Sequence, residues 1–203
     1  MEMNLETISA VALGIGLAAS TGFRVFIPLL VAGIASHFGV LPLGDNFAWM
    51  GSVPALITFG VAAVAEVLAY YIPFVDNLLD TIATPLSVGA GTLLMTSVFP
   101  ADNEWMKWIM GFLVGGGAAA TIQSGSALTR LMSSKFTAGA GNSVVSTGEG
   151  VAATGFSIMS LFMPVIVAVL LLVFVIVILR LAYRKLLKKK KKETEIVEVE
   201  EVD

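Results

Sequence analysis

The chain has 203 residues, 57% hydrophobic and only 13% charged, with a mean hydropathy of +0.90 and a formal net charge of −3. That is far more apolar than an ordinary soluble domain, and it points to a multi-span membrane protein. With no cysteine in the sequence, disulfides, thiolate metal sites and thiol nucleophiles are excluded.

The net charge hides a strong asymmetry. Eight of the twelve Lys and Arg residues lie at 180–192 and six of the fifteen acids at 193–203, so eleven charges from Arg24 to Glu149 serve a long apolar body. The N-terminus, MEMNLETIS, carries no positive n-region. A cleaved secretory signal is therefore not expected, and the first apolar stretch is read as a mature helix.

Residues 7–38 form that first stretch, interrupted by Ser20-Thr21-Gly22, with Arg24 just past the interruption and Pro28 after it. At about 1.5 Å per residue the segment is too long for one untilted crossing of a core about 30 Å thick and too short for two. It is either one long broken helix or a re-entrant pair of half-helices. Irregular backbone at membrane depth is tolerated only against protein or a wet cavity, which makes the interruption a candidate site wall.

Leu41–Trp49 reads as a loop rich in turn formers, with Trp49 as an interfacial anchor. A second span follows at 53–72 and carries Glu66. Pro73 opens a short polar corner with Asp76 and Asp80 four residues apart, and a third span is expected from Pro85 to Phe99. The two aspartates suit either a hard cation or, more simply, a solvated cap on the third span.

Pro100–Lys107 is the sharpest central boundary, with Trp105 and Trp108 marking a second interface. Residues 108–134 then repeat the character of the first segment, an apolar Gly-rich half followed by the polar TIQSGSALTR. Glu149 precedes a modest apolar segment, and Pro164 opens the last span. Gly150–Leu179 is thirty residues long without a charge and is followed at once by Arg180, Arg184, Lys185 and Lys188–Lys192. About 20 apolar residues suffice to cross a bilayer, and basic flanks stay on the cytoplasmic side, so the C-terminus is expected there with Lys188–Lys192 at anionic lipid head groups.

The two halves, 5–99 and 105–180, can be laid on each other, with GIGLAAST (14–21) on VGGGAAAT (114–121), Glu66 on Glu149, and the Pro85-led span on the Pro164-led one. The expected fold is an all-α polytopic membrane protein, a helical bundle of about six membrane segments over residues 1–180, with two repeats built on broken or re-entrant helices. Residues 181–203 form a charged cytoplasmic tail, expected to be disordered because it has no means of burying a core.

Arg24 is the most informative residue, since a permanent guanidinium deep in a bilayer costs several kcal/mol unless paired or hydrated. It either binds an anionic or carboxylate-bearing group, with Ser20, Thr21 and Gly22 around it and Thr121, Gln123 and Ser124 as the counterpart in the second half, or it forms a structural ion pair with Glu66 or Glu149. Those two acids, with Asp76 and Asp80, are the candidates for proton or ion coupling. The single histidine, His37, makes neither a metal site nor a triad. No GxSxG, HExxH, Walker A or dinucleotide motif is present, so no enzyme, cofactor or metal is expected.

The stretches ASTGFRVFIPLL (19–30), YYIPFVDNLLDTIATPLSVGAGTLL (70–94) and GNSVVSTGEG (141–150) resemble a family of small bacterial integral membrane proteins known only as a domain of unknown function, of the 4126 type. The resemblance covers residues 5–180 and implies a bacterial inner-membrane location; it supplies no activity, substrate or catalytic residue. The residues themselves point to a transporter or channel-like protein for a small polar or anionic solute, or a lipid head group, acting at the Ser20–Arg24 interruption. The competing expectation is a non-transporting scaffold or regulatory subunit whose tail recruits a partner. Expected partners are membrane lipids and an unspecified small solute, with a homo-oligomer left open and nucleic acid excluded.

Overall fold

Asn4 starts the first helix by accepting the Thr7 amide on its side-chain oxygen at 2.8 Å. Helix α1 then runs Leu5–Ser20 and stops where the sequence changes character, at Thr21-Gly22-Phe23, before α2 begins at Phe26 and continues to His37. The computed structural model describes residues 4–137 and 141–200, with the side chains of residues 73–78, 80, 182 and 185–200 outside that description. Every regular element among the described residues is helical.

After α2 a 3-10 turn at Asp45–Gly51 leads into α3, Val53–Ala69. Ser52 caps α3 by accepting the Ala55 amide at 3.3 Å, and Pro54 sits in its first turn, where a missing N–H costs nothing. Helix α4 covers Pro73–Val98, followed by α5 (Glu104–Met110), a π-helical turn (Gly111–Gly116), α6 (Gly117–Thr137), α7 (Asn142–Phe162) and α8 (Pro164–Glu200).

Three expectations need correction. The polar corner and the Pro85-led span are one helix, α4, with Pro85 in its interior. The proline is accommodated among hydroxyls, the Ser87 side chain donating to the Thr84 carbonyl at 2.9 Å, where an exposed helix would be penalised by about 3 kcal/mol. Asp76 and Asp80 fall in the first turns of α4, but their side chains lie outside the described ones.

The second correction concerns residues 108–134, where the interruption expected opposite Thr21 is absent. The chain passes from α5 through the π turn into α6 without a break, and its glycines serve close packing. A Cβ on Gly91 of α4 would come within 2.8 Å of the Gly115 carbonyl oxygen. The likeness of GIGLAAST to VGGGAAAT therefore does not extend to backbone shape.

Third, two described helices are long and apolar enough to cross a membrane, Thr81–Val98 within α4 and Pro164–Leu181 within α8. A third is reached if Asp45–Gly51 and α3, bent by 62°, count as one span. The two halves of the first segment, α1 and α2, are shorter apolar helices. Helix α8 runs as backbone to Glu200, and most side chains of the tail expected at 181–203 lie outside the described ones.

The interrupted α1–α2 segment is the centre of the fold. Helix α1 packs on α4, α7 and α8, while α2 packs on α3 and α7. One apolar cluster joins Leu17 of α1, Leu29 and Ala32 of α2, Phe59 of α3 and Leu94 of α4. A second joins Ala19 to Ile122 of α6 and to Val167 and Leu171 of α8. The outer face of α8 is apolar too, with Val165, Ile166, Val169, Leu170 and Val173 all exposed. A helix that is apolar on every side needs an apolar surround.

Candidate functional site

The break between α1 and α2 lies against α6. A Cβ on Gly22 would meet the Ala119 carbonyl oxygen and the Ile122 side chain, each at 2.5 Å, so only glycine permits this approach. Thr21 Oγ1 lies 2.7 Å from the Ala18 carbonyl and 3.1 Å from that of Ser87, its single proton tying the end of α1 to α4. Ser20 donates to the Gly16 carbonyl at 2.7 Å. Ser20 and Thr21 are thus fully buried with their hydroxyls committed to backbone.

Arg24 leaves the break and enters the interior, where it is 1% exposed. Its Nη2 donates to the Ser146 carbonyl at 2.9 Å and to the Ser146 hydroxyl at 2.5 Å, and stands 3.5 Å from Glu149 Oε2. Glu149 belongs mainly to a second arginine. Arg130 donates to it from Nη2 at 2.6 Å and from Nε at 3.2 Å, and Ser126 adds a short hydrogen bond to Oε1. Both guanidinium carbons lie against the ring of Tyr70, 4.0 Å from its centroid for Arg24 and 4.1 Å for Arg130. Such cation–π contacts contribute about 2 kcal/mol or more when desolvated.

The second acid works differently. Glu66, on α3 one turn before Tyr70, accepts the Val25 amide on Oε1 at 2.8 Å and the Phe26 amide on Oε2 at 3.1 Å. These amides open α2, whose capping residue, Val25, offers no side-chain acceptor. A carboxylate from another helix thus satisfies the positive end of the α2 dipole.

Formal charge in the cluster balances, with Arg24 and Arg130 against Glu66 and Glu149. Hydrogen bonding does not. Arg24 Nε and Nη1 are buried with no hydrogen-bond partner, as are Gln123 Nε2 and Ser157 Oγ. A buried donor left unmade costs about 1–3 kcal/mol, more when charged, so these groups are places where an added acceptor would be stabilised.

Two grooves reach the cluster from outside. One, of about 650 Å³ between α6, α7 and α8, has Ser126 and Glu149 on its wall among apolar residues such as Phe23, Phe174 and Ile178. The other, of about 520 Å³, runs past Val67, Tyr71 and Thr147 and touches Ser146, the residue holding Arg24. Across it Tyr71 and Thr147 share a 2.8 Å hydrogen bond between their hydroxyls.

Of the residues singled out from sequence, Ser20, Thr21, Gly22 and Arg24 gather at the break, Gln123 is buried beside it, and Glu66 and Glu149 flank Arg24. Ser124 is exposed on α6 with its hydroxyl turned back to the Ala120 carbonyl, and Thr121 likewise bonds to Gly117, so neither side chain joins the cluster. Arg130 and Tyr70 were not anticipated. Their signal was spacing: Gln123, Ser126 and Arg130 fall at i, i+3 and i+7 on one face of α6, and Glu66 and Tyr70 at i and i+4 on α3. His37 is exposed, with Nδ1 2.8 Å from the Gly51 carbonyl. No three His, Cys, Asp or Glu residues come together among the described residues.

A family model described as a domain of unknown function, DUF4126, matches residues 11–184. The chain belongs to the DUF4126 family. The matched region contains the whole cluster, from Arg24 to Glu149, and ends within α8. No curated protein and no solved structure matches the chain.

Proposed function

We propose that this DUF4126 protein is a polytopic membrane protein, with its basic C-terminal flank on the cytoplasmic side, that binds and moves a small polar or anionic solute at the Ser20–Arg24 break. The observation that carries this reading is the state of Arg24: fully buried beside a non-helical turn, with Nε and Nη1 facing no acceptor. An anionic guest on those donors would recover hydrogen bonds that the folded chain leaves unmade. The second groove offers such a guest a path to Ser146 and hence to Arg24. The apolar exterior of α8 supports the membrane setting.

A second reading, a non-transporting scaffold, is favoured by the Arg24–Glu149–Arg130 network, which ties the break to α6 and α7. Replacement of Arg24 by Leu, with the protein reconstituted in liposomes, separates the two. The transport reading expects acetate or chloride flux in the wild-type protein and its loss in a variant that still folds. Flux-free wild-type protein, together with a lowered melting temperature in the variant, would instead favour the scaffold.

A further inference from the structure

The groove of about 650 Å³ between α6, α7 and α8 is large enough to hold a ligand. Its walls run over residues 125–132 of α6, 145–152 of α7 and 174–181 of α8, about 10 Å along each helix. The three walls share one mouth. Ile122 packs with Leu171, and a Cβ on Gly125 would meet Ile178, so α6 and α8 run in the same sense along the groove. The Asn142 amide donates to the Ser134 hydroxyl at 2.9 Å, which sets α7 antiparallel to them. Met132, Val145 and Leu181 therefore mark one end, and Met132 and Leu181 are exposed there with Leu128 and Val177.

Three polar side chains lie on the wall, and the protein already uses all three. Ser126 donates to Glu149, Glu149 is held by Arg130 and faces Arg24, and the Thr129 hydroxyl donates to the Gly125 carbonyl at 2.9 Å. The remaining wall is aliphatic or aromatic, so the interior suits a hydrocarbon chain. The mouth differs. Lys135 stands one turn beyond Met132 on α6 and Arg184 one turn beyond Leu181 on α8. Both are exposed, and among the described residues neither is in an ion pair.

We propose that this groove is a binding site for one anionic phospholipid, with an acyl chain between α6, α7 and α8 and its phosphate between Lys135 and Arg184. An apolar slot ending at two unpaired cations matches such a lipid in both chemistry and order, chain inside and negative charge at the basic flank. The site goes beyond the solute reading above. None of its contacts is made by Arg24, so it stands whether or not the break carries a solute.

Gly148 provides a clean obstruction, because it lines the groove and a Cβ there meets nothing within 4 Å. The experiment is native mass spectrometry of the full chain in uncharged detergent, titrated with palmitoyl-oleoyl phosphatidylglycerol, with the matching phosphatidylcholine and, as a head without chains, with glycerol 3-phosphate. Wild type should retain one phosphatidylglycerol about tenfold or more tightly than phosphatidylcholine and should not bind glycerol 3-phosphate. Gly148→Phe should lose that lipid, while Gly60→Leu on α3, equally open at its Cβ, should keep it. Lys135→Gln with Arg184→Gln should bind phosphatidylglycerol about tenfold or more weakly, at the phosphatidylcholine level. Undiminished retention by Gly148→Phe would reduce the lipid to the general annulus and overturn the site. Equal affinity for the two lipids in wild type, or binding of glycerol 3-phosphate as tight as that of the lipid, would overturn it as well. If Gly148→Phe does not fold, Thr129→Phe, at an exposed position on the α6 wall, must show the same loss, and retention there would be equally fatal.

Discussion

Arg130 grips Glu149 side-on, from Nη2 at 2.6 Å and Nε at 3.2 Å, while Arg24 reaches the same carboxylate only at 3.5 Å. One buried acid is thus shared unequally between two buried cations. The inequality explains why Arg130 is the anchor of the cluster and Arg24 its open member. A guanidinium bound through two parallel N–H groups is held in place, whereas one bound through a single nitrogen retains donors for something else.

Glu149→Gln should therefore be the most damaging single change in the cluster. It takes from Arg130, which is 2% exposed, the carboxylate that it holds through two nitrogens, and breaking a buried pair costs about 3–5 kcal/mol. Thermal unfolding in detergent should show a large fall in melting temperature. The double variant Arg130→Met, Glu149→Leu, which removes both charges, should lose less than Glu149→Gln alone.

Tyr70 predicts a contrast between two substitutions. Tyr70→Phe keeps the ring against which both guanidinium carbons rest, at 4.0 and 4.1 Å, but removes the hydroxyl that shares a hydrogen bond with Arg130, and should lose about 1.5–3 kcal/mol. Tyr70→Leu removes both cation–π contacts, each about 2 kcal/mol when desolvated, and should melt well below the Phe variant. Equal melting temperatures would show that the ring faces contribute nothing.

Gly22→Ala tests the approach of the break to α6. The added methyl would sit 2.5 Å from the Ala119 carbonyl oxygen and 2.5 Å from the Ile122 side chain, neither of which is the free end of a flexible chain. The two elements must separate, at about 1–3 kcal/mol. Gly60→Ala on α3, where nothing lies within 4 Å, is the matched control and should be neutral or slightly stabilising.

The interruption after α1 was legible because several signals agree there: a Ser-Thr-Gly run, a charge at Arg24 and a proline at 28. At VGGGAAAT in the second half the small residues recur without a Ser-Thr-Gly run, a charge or a proline beside them, and glycine also serves close packing, which is its use beside α4. Pro85 read as a helix start because proline costs least in a first turn; its place inside α4 depends on neighbours in space, including the Thr21 contact to Ser87, that no local pattern reveals. Arg24, Glu66 and Glu149 stood out as lone charges in apolar sequence. Arg130 did not, since it closes a polar run and resembles a boundary marker, and Tyr70 acts through a ring and a hydroxyl that sequence cannot tell from those of a packed tyrosine.

The continuity of α6 can be checked with single cysteines, because the chain has none of its own. In an unbroken helix successive residues point about 100° apart, so neighbours on α6 should differ sharply in access. Gln123 is 2% exposed and faces the break, whereas Ser124 is exposed. Ser124→Cys should react rapidly with N-ethylmaleimide in detergent and Gln123→Cys only after unfolding. Comparable rapid labelling at both positions would mean that α6 opens at this point as α1 does at Thr21, and would restore the second interrupted segment that the structure replaces with a continuous helix.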